Sequence, residues 1–169
     1  MSNRFYEKEL ETMKRCKLES LQLKRLKKIT AHVYANNAIY RKAFDEAGIK
    51  PSDIKTLEDI AKLPTINKIV FRDTYPMGLM CVEKKKIVEM HMSSGSTGTP
   101  VVMPYTQGDL DQWASCMARC YAMAGAKPTD VVQITPSFGL FNGGFGQYHG
   151  ARKYGLVGVP SGAGKGARQ

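Results

Sequence analysis

A short segment rich in hydroxyl side chains and glycine is the part of the sequence best suited to chemistry. It reads Ser93-Ser94-Gly95-Ser96-Thr97-Gly98-Thr99-Pro100. Hydroxyl groups can rotate to donate hydrogen bonds, and glycine lets backbone N–H groups approach a bulky anion closely. The segment therefore suits the phosphates of a nucleotide, although a flexible turn that merely joins two strands would have the same composition. The Gly-x-x-x-x-Gly-Lys-Ser/Thr spacing of a Walker A loop is absent.

A second segment combines aromatic residues with glycines. It reads Pro136-Ser137-Phe138-Gly139-Leu140-Phe141-Asn142-Gly143-Gly144-Phe145-Gly146 and follows the end of a predicted strand, where open α/β sheets bind their ligands. Aromatic rings beside glycines can form a flat apolar slot for a phenyl group. The glycines could equally serve close packing of a neighbouring element. The residues alone leave both interpretations open.

The cysteines and histidines do not form a recognisable metal site. Cys116 and Cys120 lie four residues apart on a predicted helix, and we interpret them as buried thiols. The three histidines show no metal-ligand spacing, although His149 could approach the aromatic segment. We therefore predict no metal site formed by this chain alone.

The elements that position both segments are predicted between residues 87 and 160. Strands are predicted at 87–91 and 101–105, on either side of the hydroxyl-rich turn. This part also contains predicted helices at 109–124 and 140–154 and predicted strands at 131–135 and 156–160. A strand, a crossover helix and a second strand in this order predict a parallel sheet.

The N-terminal half is predicted to be helical from residue 4 to about residue 75. Its apolar residues recur at a spacing that suits one face of a long helix, namely Phe5, Met13, Leu18, Leu21, Leu26, Ile29 and Val33. The fold class is thus α/β, with a helical N-terminal region (1–85) followed by the first part of a mixed or parallel sheet with flanking helices (86–169). Too few strands follow to finish such a sheet. The expectation is a truncated domain, or a sheet that another chain completes.

The composition is that of a globular protein with a basic excess. The net charge is +10, and residues 1–90 hold 19 Lys and Arg against 12 Asp and Glu. We attribute the excess to solvated helix faces, with a phosphate-rich ligand as a weaker alternative. No apolar run is long enough to span a bilayer, and the N-terminus does not look like a signal peptide. Together with the scattered cysteines, this predicts reduced thiols and a cytoplasmic location without membrane attachment.

The hydroxyl-rich turn resembles the phosphate loop of adenylate-forming enzymes, and its surroundings resemble the phenylacetate-CoA ligase branch of that superfamily. The resemblance covers nearly the whole chain in order. It rests on Leu63-Pro64-Thr65, Arg72-Asp73-x-Tyr75-Pro76-x-Gly78-Leu79, His91-x-Ser93-Ser94-Gly95, Tyr105-Thr106, Asp109-Leu110-x-x-Trp113, Phe138-Gly139-Leu140-Phe141-x-Gly143-Gly144 and Tyr148-His149-Gly150-Ala151. Three positions depart from the pattern: Thr99 and Val101 stand where lysine is frequent, and Phe138 where tyrosine is frequent.

The resemblance implies an acid–thiol ligase that forms an acyl-adenylate from phenylacetate and ATP and then transfers the acyl group to coenzyme A. It assigns Ser93, Ser94, Gly95, Ser96, Thr97, Gly98 and Thr99 to the nucleotide phosphates. It assigns Phe138, Gly139 and Phe141 to the aryl acid. Magnesium would accompany ATP. The family's adenine-contacting aromatic residue, acidic magnesium residue and catalytic lysine have no match in this chain, so we predict no ligase activity from residues 1–169 alone.

Other functions remain compatible with the sequence. A ligase for another aryl acid, such as benzoate or an indole acid, would share the phosphate loop and differ in the acid pocket. A basic, non-catalytic nucleic-acid-binding module would fit the charge, but no nucleic-acid-binding motif is present. The chain could also act as a half-domain with a complementary chain, or form a homodimer.

Overall fold

The computed structural model describes residues 4–93, 98–164 and 166. The chain divides into two compact units, one of residues 12–84 and the other of residues 1–11 together with 85–169. Residues 1–11 thus group with the C-terminal half. The domain division into 1–85 and 86–169 stays a prediction.

The described residues form six α-helices, three short 3₁₀ helices and four strands. The α-helices are α1 (Lys8–Glu11), α2 (Arg15–Asn36), α3 (Ala38–Glu46), α4 (Lys68–Asp73), α5 (Gln107–Met123) and α6 (Asn142–Tyr154). The 3₁₀ helices are Pro51–Asp53, Glu58–Lys62 and Lys84–Lys86. The strands are β1 (Ile87–Met92), β2 (Val102–Thr106), β3 (Val131–Gln133) and β4 (Val157–Val159).

The unit of residues 12–84 is organised around the junction of α2 and α3. Asn37 has extended backbone there, and its side-chain oxygen accepts from the amides of Ile39 and Tyr40, which caps α3. Its side-chain nitrogen donates to the carbonyls of Gly78 and Met80 at 2.8 and 3.2 Å. One buried side chain therefore starts α3 and also fastens the segment that follows α4.

The long helix predicted near the N-terminus is shorter than its apolar spacing suggested. Phe5 and Met13 lie outside α2, because α1 ends at Glu11 and α2 begins only at Arg15. Ile29 lies within α2 but is 54% exposed, whereas the neighbouring Thr30 is buried. The hydroxyl of Thr30 donates to the carbonyl of Leu26 one turn earlier. This polar residue can therefore occupy the buried face without leaving its hydroxyl unpaired.

Strands β1 and β2 form an antiparallel pair. Strands β1 and β2 pair with His91 opposite Met103 and Met92 opposite Val102. The register shifts between Ile87 and Glu89, which is a β-bulge. The pair is followed directly by α5, whose first turn is closed by a capping box between Thr106 and Asp109.

The remaining strands form the predicted parallel pair, with α6 as the crossover between them. Val131, Val132 and Gln133 of β3 lie opposite Val157, Gly158 and Val159 of β4. The core beneath this pair consists of buried side chains from α5, α6 and the strand ends, namely Ala118, Ala122, Ile134, Ala151, Tyr154 and Leu156. The parallel connection predicted from the sequence is confirmed.

Two glycines of α6 let it pack closely against α5. A Cβ atom at Gly146 would lie 2.3 Å from Cζ2 of Trp113, and one at Gly150 would lie 2.2 Å from Cβ of Met117. Neither position leaves room for a side chain. Close packing is therefore one use of the glycines in and after the aromatic segment.

The opposite face of the parallel pair is exposed. Val131 and Val157 are 69% and 53% exposed although they are apolar strand residues. Parallel strands are normally covered on both faces.

In the part of the chain that the structure describes, no helix has the length and apolar character needed to cross a membrane.

Candidate functional site

The hydroxyl-rich turn connects β1 to β2. Ser93 follows β1 directly; its amide donates to the carbonyl of Val101 at 2.9 Å, and its hydroxyl oxygen accepts from the amide of Val101 at 2.8 Å. Because that hydroxyl accepts from the backbone, its own hydrogen stays available for a donor role. Ser94, Gly95, Ser96 and Thr97 of the predicted phosphate site lie outside the described residues.

The far side of the turn is open. Gly98 and Thr99 are exposed, and Gly98 has φ of 121°, which a residue with a side chain adopts only with strain. Among the described residues other than its chain neighbours, no atom lies within 4 Å of the position that a Cβ atom would occupy at Gly98. Glycine is needed there for the backbone conformation.

The aromatic segment meets the turn at the end of β1. The amide of Met92 donates to the carbonyl of Leu140 at 2.8 Å. Asn142, the first residue of α6, donates through its side-chain nitrogen to the sulfur of Met103 on β2 at 3.5 Å. These two contacts bring the start of the predicted phosphate turn next to the predicted acid segment.

The three predicted acid-site residues differ in their surroundings. Phe138 is half-buried, and its ring packs edge-to-face against Phe145 and Tyr148 with centroids 5.4 and 6.2 Å away. Gly139 is exposed, and Phe141 is 44% exposed at the start of α6. In the described residues Phe138 is thus part of an aromatic cluster, whereas Gly139 and Phe141 face outward. Their role in acid binding stays a prediction.

A cluster of ionisable side chains lies beside the turn, and the sequence analysis did not detect it. Nε2 of His91 lies 2.6 Å from Oε1 of Glu89, and Nε2 of His149 lies 3.1 Å from Oε2 of Glu89. Burial alone would raise the pKa of the Glu89 carboxyl, but its hydrogen bonds with His91 and His149 outweigh burial and hold this pKa below its ordinary value. The carboxylate of Glu89 is therefore ionised at neutral pH.

Sequence spacing gave one signal for this cluster. Glu89 and His91 are two residues apart on a predicted strand, so they share one face. The third member, His149, is 60 residues away along the chain, and only the packing of α6 on β1 brings it close. Among the described residues, no group of three or more His, Cys, Asp and Glu is arranged to hold a metal ion.

The predicted burial of the helix thiols is wrong. Cys116 and Cys120 are both exposed on α5, because the residues of that helix that face the core are Leu110, Ala114, Ala118 and Ala122. All four cysteines are free thiols. A cleft of about 440 Å³ lies near Cys116; it is lined by Arg4, Phe5, Glu11, Cys116, Arg119 and Met123.

Comparisons with known sequences identify close relatives over almost the whole chain. The phenylacetate-coenzyme A ligase of Aromatoleum evansii is 42% identical over 160 residues, which are 95% of this chain and 36% of the relative. The corresponding ligases of Thermus thermophilus and Escherichia coli are 42% and 39% identical, over 97% and 95% of this chain. The chain therefore spans about 36% of the length of the curated relatives it matches. No protein-family model matches it.

Solved structures agree with the sequence relatives. A 2-hydroxyisobutyryl-CoA ligase in an open conformation, in complex with 2-HIB-AMP and CoA, superposes with a TM-score of 0.87 and 29% identity over 95% of this chain and 38% of that protein. The same ligase in its thioesterification state gives a TM-score of 0.88 and 30% identity. The matching region is the N-terminal part of an adenylate-forming CoA ligase. The predicted α/β fold class is confirmed.

Proposed function

From the similarity to phenylacetate-CoA ligases over 95% of the chain, we propose that it forms the phosphate-loop and acid-binding part of an AMP-forming phenylacetate-CoA ligase. The observation that supports this assignment most directly is the hydrogen bond from Met92 to Leu140. It joins the residue before Ser93, where the hydroxyl-rich turn begins, to the aromatic segment. An adenylating site requires this arrangement, because the acid must meet the phosphate chain of the nucleotide.

The proposed reaction has two steps. A carboxylate oxygen of the acid attacks the α-phosphorus of ATP, which forms an acyl-adenylate and releases pyrophosphate. The thiol of coenzyme A then attacks the acyl carbon and AMP leaves, so that a thioester is formed. In the first step two anions must be aligned, and the protein contributes mainly orientation and hydrogen-bond donors.

The residues of this chain contribute to the first step in two ways. The hydroxyl of Ser93, the backbone amide of Gly98 and the hydroxyl of Thr99 donate to the β- and γ-phosphates. Phe138, Gly139 and Phe141 hold the aryl group. Ser94, Gly95, Ser96 and Thr97 complete the proposed phosphate loop.

Cofactors and location are part of the proposal. The solved relative was crystallised with an acyl-AMP and CoA, which supports ATP and coenzyme A as substrates here. Magnesium would neutralise phosphate charge when it binds together with ATP. The free thiols support a reducing, cytoplasmic location.

A second candidate is a ligase for a different acid. The solved structures that match this fold are named for 2-hydroxyisobutyrate, a small hydroxy acid, whereas the sequence relatives are named for phenylacetate. The aromatic residues around Phe138 favour an aryl acid. The identity of the acid is decided by direct comparison of phenylacetate, benzoate and 2-hydroxyisobutyrate.

The test uses the polypeptide encoded by the complete reading frame, and measures acid-dependent exchange of pyrophosphate into ATP. Ser93→Ala should raise the KM for ATP or lower the exchange rate by about 10- to 100-fold, since a hydrogen bond to a charged group contributes about 1.5–3 kcal/mol. Ser93→Thr keeps the hydroxyl and should restore most of the activity. Ser115→Ala removes an exposed hydroxyl on α5 and is the matched control.

Two results would contradict the proposal. The first is a wild type without exchange for any of the three acids. The second is a Ser93→Ala variant with unchanged ATP dependence, because the turn would then not hold the nucleotide.

A further inference from the structure

Glu89 connects the hydroxyl-rich turn and the aromatic segment of the proposed site. It lies outside the residues that are proposed to bind substrate. It lies on β1, four residues before Ser93, and its carboxylate contacts one histidine on its own strand and one on α6. His91 is 2% exposed, whereas the side chains of Glu89 and His149 are 23% and 24% exposed. The carboxylate thus bridges two elements from a half-buried position.

The bridge fixes the protonation pattern of both rings. An ionised carboxylate can only accept hydrogen bonds, so Nε2 of His91 and Nε2 of His149 must each carry a hydrogen. Nδ1 of His91 is buried and has no hydrogen-bond partner among the described residues. A hydrogen on that atom would be a buried donor without an acceptor, which favours a hydrogen on Nε2 rather than on Nδ1 of His91.

The ring of His91 has little freedom to move. Its centroid lies 5.6, 5.8 and 5.1 Å from the rings of Tyr105, Trp113 and Phe145. These three rings come from β2, α5 and α6. The short contact with this packed ring therefore restrains the position of the Glu89 carboxylate.

Contacts with β1 lie at two places along α6. One is the Met92–Leu140 backbone hydrogen bond just before the helix begins. The other is formed by the contact of Glu89 with His149 and of His91 with Phe145. Because His149 is seven residues after Asn142, it lies about two turns along α6. The contact of Glu89 with His149 therefore restrains the second turn of α6 relative to β1, in addition to the packing of α6 on α5.

We propose that Glu89 is a positioning residue for the adenylation step, and this inference rests on the proposed function. By tying His149 of α6 to His91 of β1, Glu89 holds the aromatic segment in place relative to Ser93, where the hydroxyl-rich turn begins. This role requires no contact of Glu89 with ATP or with the acid. Its loss should affect alignment of the reacting groups in the transition state more than the binding of either substrate.

The kinetic test compares Glu89→Gln with wild type in the complete polypeptide, with pyrophosphate exchange as the assay. The amide keeps the size of the side chain but carries no charge and cannot accept from both rings through two carboxylate oxygens. We expect kcat to fall by about 10- to 100-fold, as for a small misplacement of reacting groups, and both KM values to change by less than about threefold. Glu9→Gln on α1, an exposed carboxylate, is the matched control and should leave the kinetics unchanged.

A second variant guards against misfolding of Glu89→Gln. His149→Phe removes the Nε2–H donor to Glu89 and keeps an aromatic ring beside Trp113 and Phe145, and it should reproduce the loss of kcat. The urea midpoint of each variant, followed by the fluorescence of Trp113, reports whether the surrounding packing is retained. Misfolding of both variants, or normal kcat in His149→Phe, would overturn a positioning role.

The tautomers provide a readout that does not depend on activity. In a long-range ¹⁵N–¹H spectrum of the wild type at neutral pH, Nε2 of both histidines should be protonated. An unprotonated Nε2 on either ring would refute the bridge. A wild type without acid-dependent exchange would refute the proposed function, and the positioning role with it. A wild type with normal exchange and a Glu89→Gln variant within twofold of its kcat would refute the positioning role alone.

Discussion

Gly150 is a position where a single methyl group should be costly. A Cβ atom there would lie 2.2 Å from Cβ of Met117 and 3.1 Å from the Met117 carbonyl carbon. Rotation of the Met117 side chain moves neither atom. The variant Gly150→Ala can therefore relieve the clash only if α5 and α6 move apart.

The net effect is the difference of two opposing contributions. Alanine is better than glycine in a helix interior by about 1 kcal/mol. Overpacking a close contact costs about 1–3 kcal/mol and occasionally more, and 2.2 Å is far inside the usual carbon–carbon separation of about 3.5–4.0 Å. Overpacking should therefore reach the upper end of its range, which leaves a net destabilisation of about 1–2 kcal/mol.

Urea unfolding followed by the fluorescence of Trp113, the single tryptophan, measures this effect where α5 and α6 meet. With a slope of about 2 kcal/mol per molar urea, in the middle of the usual range, the midpoint should fall by about 0.5–1 M. The matched control is Gly143→Ala on the same helix, where the new Cβ atom would lie 3.4 Å from Cβ of Pro136; its stability should change by less than about 0.5 kcal/mol. A Gly150→Ala variant as stable as wild type would refute the close packing of the two helices.

Two further predictions concern the unit of residues 12–84. Asn37→Ala removes the cap of α3 and the donors to Gly78 and Met80. It should destabilise the unit by about 2–4 kcal/mol, because the cap contributes about 1 kcal/mol and each of the two hydrogen bonds about 1 kcal/mol. Native-state hydrogen exchange at the start of α3 should accelerate accordingly. The side chain of Lys62 and two backbone amides hydrogen-bond the carboxylate of Asp59 and lower its pKa. The ionised carboxylate therefore stabilises the folded protein above the unfolded-state pKa of about 4, and this stabilisation is lost as the pH falls. The melting temperature of Asp59→Asn should therefore lie below that of wild type at pH 7 and approach it in acid; a difference that stays constant with pH would contradict this assignment.

The sequence predicted those elements whose signals are local. The crossover from β3 through α6 to β4 could be predicted because a short strand, a helix and a second strand allow few connections other than a parallel one. The start of α5 was predicted at residue 109, two residues late. The capping box of Thr106 and Asp109 starts the helix at Gln107 despite the glycine in its first turn.

Burial on the helices was harder to predict, since periodicity shows which residues share a face but not whether another element covers it. Ile29 belongs to the apolar pattern of α2 and is nevertheless 54% exposed. Cys116 and Cys120 are exposed because α5 buries the face of its alanines, which suits the close approach of α6. The contact between α5 and α6 is made by small residues on both helices. A ranking by hydrophobicity alone would place these small residues below the exposed Ile29, Cys116 and Cys120.

The candidate site also contains one part that a local sequence pattern indicates and another that only the fold brings together. The turn that begins at Ser93 is contiguous, so its composition and flanking strands revealed it. The cluster of Glu89, His91 and His149 depends on a contact between residues 60 positions apart, and no local pattern encodes that contact. It becomes visible only when α6 is placed on β1.

The placement of α6 depends on both kinds of contact at once. Gly146 and Gly150 set its distance from α5, and His149, between them in sequence, reaches Glu89 on β1. Residues 149 and 150 are about 100° apart around the helix axis, so adjacent positions face two different elements. If α5 and α6 were pushed apart at Gly150, His149 would move with the helix backbone and its contact with Glu89 would lengthen. The close packing of α5 and α6 is therefore a condition for the bridge, and through the bridge for the distance between the aromatic segment and the turn.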